Sequence, residues 1–258
     1  MWKQLKRFGL ELFYYSAISQ TRRAAQDTLG CPAGYLFMEE HSMDKTAFDK
    51  IKNFEYGGIK CRKTASWAVW DRENPENTRV IEQNLDRLKG QYVFVGLNFG
   101  GDNHHLEEDW KNFHSASAGD KRLRELFTGM EYEGAYMTDI IKNEATNNAG
   151  EIMEKIKSGA LKRPVEKHIE YFIEEISLFN TENIKMFLFG RDTERVFRDY
   201  LMVNEKFLKQ LKQKVTSCRG ICHFSPRIPH FLLIARAQLE LFQQLRTGEE
   251  NHLLWNEP

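Results

Sequence analysis

At 258 residues, 41% hydrophobic and 29% charged, the sequence suits one globular domain with a sizeable core and excludes a disordered chain. Lysine plus arginine and aspartate plus glutamate both number 37, so no global field draws the chain to nucleic acid and any such contact must come from a local patch. No apolar run approaches the roughly 20 residues needed to span a bilayer, and Cys31, Cys61, Cys218 and Cys222 form no disulfide framework, so an intracellular setting with free thiols is expected.

Leu5, Phe8, Leu12, Tyr15 and Ile18 recur at helical spacing and predict a first helix, stopped at Gly30-Cys31-Pro32. Gly57-Gly58 reads as a turn, and residues 65–70 as a short strand before Asn74-Pro75. A helix over 76–88, closed by Gly90, leads into Tyr92-Val93-Phe94-Val95, a β-branched and aromatic run of the kind found in buried parallel strands. Similar runs recur at 135–141, at 184–189 and around 219–223, with helices predicted at 121–128, 150–158, 164–179, 192–203 and 205–216.

Strands alternating with helices predict an α/β fold: a three-layer αβα sandwich around a central, mostly parallel, four-stranded sheet. Residues 1–75 are expected to form a helical or irregular extension packed on the core, and 76–258 the main domain. Basic residues cluster at Lys60, Arg62 and Lys63, and again at Lys206, Lys209, Lys212, Lys214 and Arg219; the second run also suits a solvated helix face. In such sheets ligands bind beyond the carboxyl ends of the strands, which puts Asn98, Asp139 with Lys142, and His223 on loops able to converge. The strand end at Gly190-Arg191-Asp192 reads instead as a strand-to-helix turn capped by Asp192 or Thr193.

Two segments carry a family resemblance. Gly96-Leu97-Asn98-Phe99-Gly100, ending a strand, and the late His223-Phe224-Ser225-Pro226-Arg227-Ile228-Pro229 resemble the paired signature motifs of the uracil-DNA glycosylase superfamily, the second being closest to the single-strand-selective monofunctional branch. That branch has proline where this chain has Phe99 and Phe224. The resemblance covers roughly residues 75 to 247.

What it implies is a monofunctional DNA glycosylase that extrudes a base from DNA and hydrolyses its N-glycosidic bond, as a monomer, with no cofactor and no metal. Asn98 would position the attacking water, and His223 would donate a hydrogen bond to the departing base. Gly96, Leu97, Phe99 and Gly100 would line the base site, Phe113 would stack on the base with Trp110 as the other candidate, and Asp139 would read its polar edge. Ser225, Pro226, Arg227 and Lys142 would meet DNA, Arg227 as the wedge that replaces the flipped base; for Lys142 a carboxylate is the other partner considered. The same residues leave plainer readings open: Asn98 as a turn residue, Phe113 and Trp110 as pins of a long loop.

Asp139 departs from the family, whose uracil-specific members commonly present an Asn there. A carboxylate accepts but does not donate, which favours an amino-bearing base over the O4 of uracil unless the acid is protonated. The substrate is therefore left open among pyrimidines and damaged or modified bases, and the alternative is a catalytically idle relative that binds nucleotide or nucleic acid. His104-His105 with Glu107-Glu108 lacks metal-ligand spacing, and the four cysteines lack the close N-terminal pair of the iron–sulfur branch.

Overall fold

A computed structural model describes residues 42–100, 107–146 and 148–224. The first predicted helix, His104, His105, Ser225, Pro226 and Arg227 lie outside them. The described chain opens with α1 (Lys45–Asn53), whose first turn is capped by the Asp44 carboxylate accepting from the Ala47 N–H at 2.8 Å. A two-stranded hairpin follows, β1 (Glu55–Tyr56) and β2 (Ile59–Lys60), with Gly57-Gly58 at its turn. The chain then forms β3 (Ser66–Trp67), α2 (Arg79–Gln83), β4 (Lys89–Asn98), α3 (Ala118–Phe127), β5 (Ala135–Ile141), α4 (Ala149–Ser158) and α5 (Val165–Ser177). It ends in β6 (Ile184–Phe189), α6 (Arg191–Val196) running on into π-helical turns at Phe197–Met202, α7 (Glu205–Lys212) and β7 (Val215–Ile221).

The architecture is α/β, and the main sheet has five strands rather than the expected four, in the order β3-β5-β4-β6-β7. Strands β5, β4, β6 and β7 are mutually parallel. The additional strand, β3, pairs antiparallel with β5 through Ser66 opposite Met137 and Trp67 opposite Tyr136. It lies within the short strand expected over 65–70, and what seats it at the sheet edge is tertiary: the Trp67 indole meets the Tyr136 ring edge-on, centroids 4.8 Å apart. Residues 42–75 thus supply an edge strand of the sheet as well as covering it. Strand β7 begins at Val215, inside the helix expected to reach 216, because the lysine-rich pattern of α7 runs on without a composition change.

Alternation along the strands separates two apolar layers. Val93, Val95 and Leu97 of β4 face the side packed by α1, α4, α5 and α7, whereas Tyr92 and Phe94 face the side packed by α3. Phe94 is stacked on Phe187 and meets Phe127 edge-on, each at 4.6 Å. Truncating so enclosed a ring costs about 3–5 kcal/mol. Helices on both faces and four parallel strands force all the β-to-α exits to one edge of the sheet. The chain steps from β4 to β5 on one side and returns to β6 on the other, which leaves a crevice at the reversal of strand order.

Candidate functional site

A cleft of about 630 Å³ opens over those carboxyl ends. Gly96 to Gly100 from β4, Asp139 from β5, Gly190 to Thr193 after β6, and His223 with Phe224 after β7 all contribute to its wall, and the loop before α3 adds Lys111, Asn112 and Phe113. Asn98, Asp139, His223 and Phe113, far apart in sequence, therefore face one space.

Asn98 ends β4 half-buried. Its Nδ2 lies 2.9 Å from the Phe99 carbonyl, 3.0 Å from that of Glu144 and 2.9 Å from that of Thr146. Three acceptors around one atom require the amide nitrogen there, so the side chain cannot flip. Its oxygen, Oδ1, accepts nothing among the described residues and is the group left to hold a water. The turn reading of Asn98 is thereby also satisfied: the amide ties β4 to the 144–146 loop while leaving one acceptor.

Asp139 is buried beside Gly96, its partner in the β4–β5 register. A Cβ at position 96 would overlap Asp139 Oδ1, so only glycine lets this carboxylate lie against the neighbouring strand. Asn112 Nδ2 donates to Asp139 Oδ2 at 2.9 Å. Burial raises the Asp139 pKa from 3.8 to about 7, against the opposing effects of the Asn112 hydrogen bond and the Lys142 charge. Near neutrality the group is therefore present both as acid and as carboxylate.

His223 stands at the rim, exposed along one edge, with its ring stacked on Phe224 at 4.7 Å and 15°. Gly190, at φ +82°, brings the β6 exit against it, and a Cβ there would press on His223 Cβ at 3.0 Å. Protein packed behind the ring lowers its pKa below 6.5, with Asp192 opposing and the exposed edge limiting the effect, so the imidazole is neutral at pH 7. A neutral imidazole at the mouth can donate one hydrogen bond without carrying charge into the cleft.

The loop before α3 is held in an unusual shape. Trp110 and Phe113 both have left-handed backbones, φ +61° and +66°, a conformation costing about 1–3 kcal/mol for a bulky residue. The loop is tied to residues 62–82 by Ser66 Oγ donating to the Trp110 carbonyl at 2.8 Å, Asn112 Nδ2 to the Thr64 carbonyl at 2.6 Å, Thr78 Oγ1 to the Asp109 carbonyl at 2.8 Å, and Trp110 Nε1 to Glu82 at 3.1 Å. This is a role for the N-terminal segment that no motif announced. Phe113, buried in the apolar layer around Phe94, also lines the cleft, whereas Trp110 is buried in the opposite layer away from it and is removed from consideration as a stacking face.

Lys142 is a correction. A DNA contact is expected of it, but it is 2% exposed and points into the core, with Nζ 2.7 Å from both Thr138 Oγ1 and Glu175 Oε2 and lying over the Tyr56 and Phe172 rings. A side chain so enclosed reaches no phosphate; the carboxylate partner is the one it has. Arg62 and Lys63 likewise pair with Asp109, at 3.0 and 2.8 Å. Asn112, Arg191 and Asp192 join the cleft without having been singled out as site residues. The aromatic residues at 110 and 113 mark this loop in the sequence, but no local pattern there shows that Asn112 meets Asp139.

Among the described residues no group of three His, Cys, Asp or Glu side chains is placed to hold a metal ion, and no helix is long and apolar enough to cross a membrane. No family model matches the chain, and neither a curated protein nor a solved structure matches it.

Proposed function

We propose that this protein is a monofunctional DNA glycosylase of the uracil-DNA glycosylase type, hydrolysing the N-glycosidic bond of a base drawn into the cleft. The observation that carries this reading is the convergence of Asn98, Asp139, His223 and Phe113 on one cleft above a parallel β5-β4-β6-β7 sheet. Hydrolysis of such a bond needs a water held against the anomeric carbon, relief of the negative charge gathering on the leaving base, and a surface to receive that base. Asn98 Oδ1 accepts a hydrogen bond from the water, and its locked amide keeps that acceptor in place. His223, neutral, donates to the base oxygen that gains charge. Phe113 provides the stacking face, and Asp139 meets the base's polar edge. Lys142, buried in an ion pair, does not serve as a nucleophile.

The test is cleavage of end-labelled single-stranded and duplex oligonucleotides carrying uracil, hydroxymethyluracil, other modified pyrimidines and normal bases, with alkali used to break abasic sites. Base release that disappears in both Asn98→Ala and His223→Ala is the expected outcome. Strands that are bound but not cleaved by the unaltered protein would replace this reading with a catalytically idle binding relative.

A further inference from the structure

We infer that Asn112 is a specificity-determining residue, and that with Asp139 it forms a pair of acceptors which selects an exocyclic amino group on the occupant of the cleft. This rests on the base-binding reading of the cleft, and it concerns which base enters.

Asn112 is buried yet lines the cleft. Both its amide hydrogens are taken, one by the Thr64 carbonyl and one by Asp139 Oδ2. What it has left to offer is its carbonyl oxygen, which accepts nothing among the described residues. Asp139 Oδ1 likewise accepts no hydrogen bond there. The two residues line the same cleft and are joined by the Asn112–Asp139 hydrogen bond.

Among the described residues no hydrogen bond reaches either oxygen. Lys142, on the exit of the same strand, is engaged by Glu175 and Thr138. Lys111 is drawn toward Glu76 and Glu108, each at 3.4 Å. The other charges acting on Asp139, Glu175 from α5 and Asp120 from α3, are negative. A buried carboxylate with a single donor is an unfinished hydrogen-bonding arrangement. An amino group with two N–H bonds, as on cytosine or a derivative that keeps its amine, completes it by donating to both oxygens. A keto oxygen in the same place meets two acceptors and is repelled. Asn112 lies between the left-handed Trp110 and Phe113, and it and the stacking ring line the same cleft.

The test uses two fluorescently labelled single strands, identical except for one central nucleotide, a 2′-fluoroarabino cytidine or uridine that resists hydrolysis, with affinity read by anisotropy. At pH 8.5 the unaltered protein should bind the cytidine strand about tenfold more tightly, the scale of one good paired contact. Asn112→Ala should bring the two strands to within about threefold of each other. Asp139→Asn, which places a donor amide at this point, should reverse the preference and guards against an Asn112 variant that does not fold. At pH 5.5, where Asp139 carries a proton and its O–H can donate to a keto oxygen, the cytidine preference of the unaltered protein should shrink, while the uridine preference of Asp139→Asn should stay as it is at pH 8.5.

Equal affinity for the two strands at pH 8.5, or a folded Asn112→Ala that keeps the full preference, overturns the inference. Indiscriminate release of bases from hydrolysable strands would sink it while leaving the glycosylase reading intact. Discrimination without release would keep the inference and remove the glycosylase. Binding of neither strand overturns both.

Discussion

Replacing Asp139 with asparagine should stabilise the protein at alkaline pH and leave its stability unchanged in acid. The carboxyl is buried at the end of β5, and burial raises its pKa from 3.8 to about 7. Between those values the folded protein binds a proton that the unfolded chain releases, so folding stability falls as pH rises through that window. At about 1.4 kcal/mol per pH unit, the cost of an ionised Asp139 above pH 7 is on the order of 4 kcal/mol. An asparagine has no charge to desolvate, and its Oδ1 can accept the Asn112 amide hydrogen that Asp139 Oδ2 accepts now. The assay is urea unfolding followed by circular dichroism, with both proteins measured at intervals from about pH 4 to pH 8.5. The two stability curves should meet at the acid end and separate by several kcal/mol above neutrality. A gap that stays constant with pH, or a native protein that is the more stable of the two at pH 8, would refute the argument that this carboxylate is held against its own solvation.

Other substitutions probe separate features of the same architecture. Gly96→Ala places a methyl group against Asp139 Oδ1; it should cost about 1–3 kcal/mol in urea unfolding and weaken binding of an amino-bearing strand in the anisotropy assay. Lys142→Met leaves the Glu175 carboxylate buried without its cation and should cost about 3–5 kcal/mol, most of which a second change, Glu175→Leu, should restore. If the two single costs simply add in the double variant, the 2.7 Å ion pair has no energetic role.

Much of the framework was legible before any coordinates. Strands β5 and β6 fall on the runs at 135–141 and 184–189 because a fully buried parallel strand is apolar on both faces and needs no long-range information to be seen. Helices α3 to α5 sit within a few residues of their expected ranges for a comparable reason, as their buried faces repeat at helical spacing. The convergence of Asn98, Asp139 and His223 follows from the rule that parallel strands deliver their exits to a single edge, so it was open to expectation once the strands were placed.

Other features had no local signal. The edge strand β3 lies within the run at 65–70 expected as a strand, but nothing local shows that Ser66 and Trp67 pair antiparallel with Met137 and Tyr136 at the edge of the sheet. Lys142 looks in sequence like any polar residue after a strand; its burial is decided by Glu175, more than thirty residues further on, which reaches the same interior point from α5. Trp110 and Phe113 are equivalent by composition and both are buried, and only the folded loop shows that Phe113 also lines the cleft. What the sequence determined by itself was the alternation of strands and helices, and with it the edge where chemistry would gather, since both rest on periodicities a few residues long. The place of β3 at the edge of the sheet, the partner of Lys142 and the seating of Asn112 against Asp139 were decided by the tertiary structure, because each depends on groups brought together from distant parts of the chain.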